Sequence, residues 1–368
     1  MIYNLSDLTH LHVELSSNCN ASCPQCPRNF YGYSFNSGYL EHDMTLAEAQ
    51  KIFSPTFLAQ LRKIDINGNF GDVVMNPHTI DIARYFKECT PNANINISTN
   101  GGARDRAFWI ELAKLDIEIF FCLDGLEDTH HLYRQNTVFS TVIKNATAFI
   151  NAGGRAGWKM ISFEHNQHQV EECRALSKKL GFQHFFTMDG GRDHGPVYNQ
   201  DKQLVHIMKP SKWTGPVDFD EHFKAETTPL SEMLPISFRE QKIQEWGGEV
   251  KPIVCEVQQT KSIYVSSTGE VYPCCYMGFS PKTFKDRGWL GWANSQVADL
   301  IFENNALEYD LEHCMQWFTR VSDSWEKETF ESGRLSICNL SCGGKHNRTV
   351  NNNFVDNSKL VFHNSKAA

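Results

Sequence analysis

Leu11-His12-Val13-Glu14-Leu15, a short apolar strand, runs through Ser16-Ser17-Asn18 into Cys19-Asn20-Ala21-Ser22-Cys23-Pro24-Gln25-Cys26. The cysteine spacing is C-x3-C-x2-C. A loop this tight aims three thiolates at one place and leaves no fourth beside them. Iron–sulfur clusters commonly take four cysteines; three leave one iron open to bind and reduce a small molecule. A loop that follows a strand also lies at the C-terminal edge of a parallel sheet, where α/β active sites form. Two other readings stand beside this one. Cys23-Pro24-Gln25-Cys26 alone looks like a dithiol redox pair, which leaves Cys19 unexplained. A structural zinc site needs a fourth ligand, and the nearest histidine, His12, lies upstream on the strand.

Outward from this loop, strand-like runs recur at Ile64–Ile66, Ile95–Ser98, Ile117–Leu123, Lys159–Phe163 and His184–Thr187. They are short and apolar, as strands buried on both faces are. Helical patterns lie between them. Thr45-Leu46-Ala47-Glu48 is a capping box. Phe139–Ala152 stops at Gly153-Gly154, and Val170–Leu180 stops at Gly181. Six βα units in succession predict an α/β fold with a parallel sheet and right-handed crossovers. Six is short of the eight of a closed barrel. The expected fold is a partial (βα)6 TIM-like barrel, with a doubly wound sheet as the alternative. The expected boundaries are 1–195 for the barrel, 196–250 for a polar, proline-punctuated linker with local helices, and 251–368 for a small cysteine-rich domain.

The chain has 368 residues, 41% of them hydrophobic, enough for a substantial core. A net charge of −8 argues against a broad phosphate-binding surface, so no nucleic-acid partner is expected. No apolar run approaches the roughly 20 residues that span a bilayer. The N-terminus lacks a basic region followed by an apolar stretch. The expected location is cytoplasmic and reducing, away from membranes. Twelve cysteines in such a compartment read first as metal ligands or redox groups.

With these residues in place, the chain resembles the radical S-adenosylmethionine (SAM) superfamily, and the resemblance runs through most of the sequence. It implies a [4Fe–4S] cluster on Cys19, Cys23 and Cys26 whose open iron is chelated by the amino and carboxylate groups of SAM. Reductive cleavage then yields a 5′-deoxyadenosyl radical that abstracts hydrogen from substrate. Gly68-Asn69-Phe70-Gly71-Asp72 looks like the family's Gly-Gly-Glu stretch, which receives the SAM ammonium through backbone carbonyls and an acid. Asp72 replaces the glutamate, and Val73 replaces the proline that follows it. Ser98-Thr99-Asn100-Gly101 is similar to the family's Thr-Asn-Gly. Leu123-Asp124-Gly125 resembles its Ser-Ile-Asp-Gly, with Cys122 at the serine position that often bonds the ribose. Arg134 matches an arginine that pairs with the SAM carboxylate, a bidentate role. Gln25 stands where the family carries an aromatic residue that shields the cluster and whose backbone lies near the adenine. The resemblance also implies an electron donor such as flavodoxin or ferredoxin.

A second cysteine group lies near the other end. Cys255 is followed by thirteen residues, Gly269, four residues and Cys274. Ile263–Val265 and Glu270–Tyr272 flank the glycine as a β-hairpin, which brings the two cysteines together. Cys338 and Cys342 add a close pair. Four thiolates from two segments make a closed metal site, for an iron–sulfur cluster or for zinc. The spacing resembles the SPASM or shorter twitch auxiliary-cluster domain, which implies one auxiliary [4Fe–4S] cluster on Cys255, Cys274, Cys338 and Cys342. Cys314 reads as a buried small hydrophobe or a substitute ligand. Cys275 stands where sulfatase-maturating relatives carry an aspartate base. The resemblance implies an oxidoreductase or maturase acting on a peptide or protein. A small-molecule or nucleotide dehydrogenase or mutase is the alternative, and a non-catalytic iron–sulfur or zinc protein the third. Phe30–Phe35 is a candidate lid, and His130, His131, His165 and His168 read as solvated.

Overall fold

The computed structural model describes residues 3–26, 28–30, 32, 34–35, 40–189, 195–199, 201, 203–209, 211, 250–279, 296–330, 332–343 and 353–356. Six strands follow one another in the sheet: β1 (His10–Val13), β2 (Lys63–Ile66), β3 (Asn94–Thr99), β4 (Glu118–Cys122), β5 (Arg155–Ser162) and β6 (His184–Asp189). Each is parallel to the next. Between them run α1 (Leu46–Ile52), α2 (Thr79–Cys89), α3 (Arg106–Ala113), α4 (Phe139–Asn151) and α5 (Val170–Leu180). The capping box holds: Glu48 N donates to Thr45 Oγ1 at 3.2 Å, and Thr45 N donates to Glu48 Oε2 at 2.7 Å. Helix α5 ends where Gly181 takes the left-handed conformation (φ 88°) that a side chain disfavours.

The sheet continues past β1 with β7 (Ser262–Val265), parallel to it, and β8 (Val271–Tyr272), antiparallel to β7. Beyond β6 lies β9 (Asn353–Asp356), antiparallel. The order is β8-β7-β1-β2-β3-β4-β5-β6-β9, and β8 and β9 do not pair with each other. This is an unclosed, mostly parallel α/β sheet, a partial barrel. The C-terminal hairpin thus extends the main sheet. Its neighbours α6 (Cys275–Phe279) and α7 (Ser336–Cys342) follow, and one hydrophobic core runs from Leu11 through Trp109 and Trp158 to Tyr264, Trp317 and Phe318.

The first three strands differ from the sequence expectation in being fully buried on one face only, whereas β4 and β5 carry consecutive buried residues. In β1, Leu11 and Val13 are 0% exposed while His10 and His12 are half-buried. Ile64 and Ile66 in β2 and Ile95 and Ile97 in β3 repeat the pattern. The helices cover the apolar side, where each large side chain contributes about 1.5–3 kcal/mol. The other face is the concave side of an unfinished barrel and carries polar residues. Strand β5 also starts at Arg155, upstream of the expected Lys159, because Gly157 lets the Phe120 ring lie against the backbone.

The expected linker contains structure in its first part. Gly195–Tyr198 and Leu204–Met208 form an antiparallel ribbon with a bulge; Gly190-Gly191 and residues 212–249 lie outside the described residues. Among the described residues, no helix is long and apolar enough to cross a membrane.

Candidate functional site

The loop after β1 is fixed from both sides. Arg28, 4% exposed, donates to the Ser17 carbonyl and to Glu41 Oε1 at 2.8 Å. Cys26 N donates to Cys23 O at 3.0 Å, closing the turn that contains Gln25. The three cysteines gather with Ala21, Tyr133, Ile161, Phe163, Val197 and Met208. Nitrogen donors approach two sulfurs: Ala21 N lies 3.4 Å and Asn100 Nδ2 3.6 Å from Cys19 Sγ, and Arg134 Nη1 lies 3.8 Å from Cys23 Sγ. Such donors favour the anionic form of sulfur. Val197 and Met208 belong to the ribbon, which therefore roofs Cys23. Part of the candidate lid, Asn29–Phe30 with Ser34–Phe35, forms a second small ribbon. Its Gly32 abuts the Tyr198 carbonyl and Gln135 so closely that no side chain fits. Tyr31 and Tyr33 lie outside the described residues.

Glu14, unremarked in the sequence, organises the next layer. It is 1% exposed. Its Oε1 accepts from Phe70 N at 2.7 Å and Gly71 N at 2.8 Å; its Oε2 accepts from Tyr264 Oη at 2.7 Å. A side chain at Gly71 would collide with the Ser16 carbonyl, so the loop after β2 lies directly on the loop after β1. Asp72 is 6% exposed, and both its oxygens are engaged by the scaffold. Oδ1 accepts from Thr99 Oγ1 at 2.6 Å and Val74 N at 3.2 Å, and Oδ2 from Asn100 N at 2.6 Å. Burial pushes its carboxyl upward, against the pull of those donors.

Asp124 is 0% exposed. Its Oδ1 accepts from Ile161 N at 2.5 Å, and its Oδ2 pairs with Arg134 Nε at 2.6 Å. The salt bridge directs the rest of the guanidinium toward Cys23. His130 differs from expectation: it is 0% exposed rather than solvated. Its Nδ1 accepts from Asp124 N at 3.3 Å, which leaves Nε2 to donate to Thr137 Oγ1 at 2.9 Å. Burial lowers its pKa to about 4. The signal was available in the sequence, since His130 falls three residues before Tyr133, on the same buried face of a short helix. One layer deeper on the concave face lie Ser98 and Cys122. There Lys159, also unremarked, donates to Ser98 Oγ at 2.9 Å.

The second group surrounds a cavity of about 550 Å³. Cys255, Cys274, Cys275, Cys338 and Cys342 line it, together with His10 and His12 of β1. All are free thiols. The Cys342 thiol beside it, and then burial, push Cys255 far above the usual thiol range. Burial pushes Cys338 up to about 12. Coordination by a metal would deprotonate thiols crowded in this way. Both donor sets therefore fit sulfur-ligated iron. Cys314 is 0% exposed in the core, outside the cavity. The two groups are joined by short contacts: Asn69 Nδ2 donates to Cys275 O at 2.9 Å, and Phe70 meets Phe279 edge-on at 5.9 Å. Among the described residues, no three His, Cys, Asp or Glu side chains stand as a single-ion site.

No family model matches the chain. It is similar to the tungsten-containing aldehyde ferredoxin oxidoreductase cofactor-modifying protein of Pyrococcus furiosus, 22% identical over 278 residues, covering 73% of this chain and 71% of that one. Among solved structures it is similar to Streptococcus suis SuiB (TM-score 0.45, 12% identity), covering 77% of this chain and 64% of the other. It is also similar to anSMEcpe with bound AdoMet (TM-score 0.49, 13% identity), covering 89% and 85%.

Proposed function

We propose that this chain is a radical SAM enzyme. Its first site holds a [4Fe–4S] cluster on Cys19, Cys23 and Cys26, and a second [4Fe–4S] cluster occupies the cavity of Cys255, Cys274, Cys338 and Cys342. The observation that carries the reading is the set of N–H donors from Ala21, Asn100 and Arg134 converging on the sulfurs of a three-cysteine loop at the C-terminal end of β1. With SAM bound, the first cluster supplies the electron that breaks the sulfonium C–S bond and releases a 5′-deoxyadenosyl radical. The chain's own part is binding, orientation and exclusion of water. Asn100 and Arg134 stabilise the thiolates. Arg134, held by Asp124, is placed to take the SAM carboxylate with its remaining N–H groups. The backbone carbonyls of the loop that ends at Gly71 would receive the SAM ammonium; Gly71 lets that loop lie on the Ser16 carbonyl, and Asp72 fixes it to β3. The ribbon, Tyr133 and Phe163 cover Cys23, the shielding that Gln25 does not give.

The substrate is a peptide or protein. The support is the ribbon, whose exposed Leu204 (56%) and Val205 (55%) lie on a sheet that has only two strands among the described residues and to whose edge an extended chain can add. A small-molecule substrate is the second reading, favoured by the Pyrococcus relative, which is named for modifying a cofactor. The test is anaerobic reconstitution with iron, sulfide and dithionite, followed by measurement of 5′-deoxyadenosine from SAM. Formation of 5′-deoxyadenosine, even uncoupled from substrate, is the expected result; none at full iron loading overturns the proposal.

A further inference from the structure

Lys159 projects from β5 across β4 to β3. Its Nζ donates to Ser98 Oγ at 2.9 Å and lies 4.3 Å from the centre of the Phe120 ring. Cys122, its cross-strand partner, flanks it. The side chain is half-buried, and among the described residues it makes no ion pair. Its neighbours on the same face are arranged differently: Lys63 has Asp65 at 2.6 Å, and Arg134 has Asp124 at 2.6 Å. An ammonium withdrawn from water without a counter-ion costs several kcal/mol. The ring face of Phe120 offsets part of that cost. Burial lowers the pKa of Lys159, against the weaker pull of Cys122, Asp65 and Glu118, none of which forms an ion pair with it. Ser98 stands two residues before Asn100, the residue that donates to Cys19. The ammonium therefore sits one side-chain layer below the first cysteine group, on the open concave face.

We infer that Lys159 anchors an anionic group of the substrate, a carboxylate or a phosphate, inside the barrel directly beneath the site of radical formation. This rests on the reading of the first group given above. Arg134 already stands beside the cysteines as the cation for SAM, which leaves Lys159 for the second ligand. Held there, a substrate presents the atoms next to its anionic group to the first site, which restricts the position of hydrogen abstraction.

The test is pulse acetylation of the reconstituted holoenzyme with acetic anhydride, read by mass spectrometry at Lys159. Lys114, whose side chain is 62% exposed, serves as the internal reference. Glutarate, inorganic phosphate and SAM are added separately and in pairs. The expected result is that glutarate or phosphate at saturation slows acetylation of Lys159 by about fivefold or more, with or without SAM, while Lys114 is unchanged; protection follows 1 + [L]/Kd. Protection by glutarate alone assigns a carboxylate substrate, and protection by phosphate alone a phosphorylated one. No protection by either anion, or protection by SAM that neither anion increases, overturns the inference. The readout does not use SAM cleavage. A failure to form 5′-deoxyadenosine would therefore sink the radical reading without deciding this one.

Discussion

Around Cys19, Cys23 and Cys26 the neighbours are N–H donors and a roofing ribbon. Around Cys255, Cys274, Cys338 and Cys342 they are other thiols and the wall of a cavity of about 550 Å³. The first arrangement sets N–H donors against sulfurs, although burial, then Asp72 and Cys23, still push the Cys19 thiol well up. The second crowds its thiols round the cavity, with Trp325 and Arg334 easing the charge on Cys338 against the burial that pushes it up. The same residue type thus serves two ends. An open site suits chemistry on a bound molecule, and a closed one suits storage or relay of an electron.

The sharpest way to break this contrast is to remove the first group. Replacing Cys19, Cys23 and Cys26 together by alanine is expected to lower 5′-deoxyadenosine formation by at least about 10³-fold and to reduce iron from about eight to about four per chain. Retained cleavage would make the two groups equivalent. Cys338→Ser tests the other side: iron analysis should also fall to about four, whereas Cys314→Ser, buried outside the cavity, should keep about eight. Equal iron loss in both variants would move Cys314 into the ligand set. The scaffold of the open site has its own test. Gly71→Ala should cost about 3–4 kcal/mol in urea unfolding, because its methyl meets the Ser16 carbonyl and the loop must separate from β1. A cost under about 1 kcal/mol would show that the two loops are not tightly stacked.

The smallest effect is in pH. His130 is held at about 4, below its ordinary value of 6.5. Between those values the unfolded chain binds a proton that the folded chain refuses. Its contribution is complete above about pH 6.5 and is lost as pH falls toward 4, a total of roughly 3 kcal/mol. Denaturant titrations of the protein and of His130→Gln should differ in slope over that window and run parallel above it. Identical slopes would remove His130 from beneath Asp124.

Local signals were legible where one residue type suffices. Thr45 and Glu48 named the start of α1, and Gly181 the end of α5, to the residue. The cysteine loop was legible for the same reason: its spacing is a short-range fact. Other features depend on pairs that sequence distance hides. Glu14 and Tyr264 are separated by 250 positions. Lys159 sits mid-strand in a run that looked apolar, and only the unfinished barrel exposes that side. The ribbon at Gly195–Tyr198 was obscured by Pro196, which an edge strand tolerates.

The pairing of β7 with β1 has a consequence in time. A ribosome adds about 5–20 residues per second. The hydroxyl of Tyr264 therefore reaches Glu14 only after roughly 12–50 seconds of further synthesis, since 250 residues separate them. Until then one edge of β1 is bare and the loop after β2 lacks part of its clamp. The sheet thus sets an order: synthesis past Val265, closure of β7 on β1, and only then the complete clamp on the loop after β2.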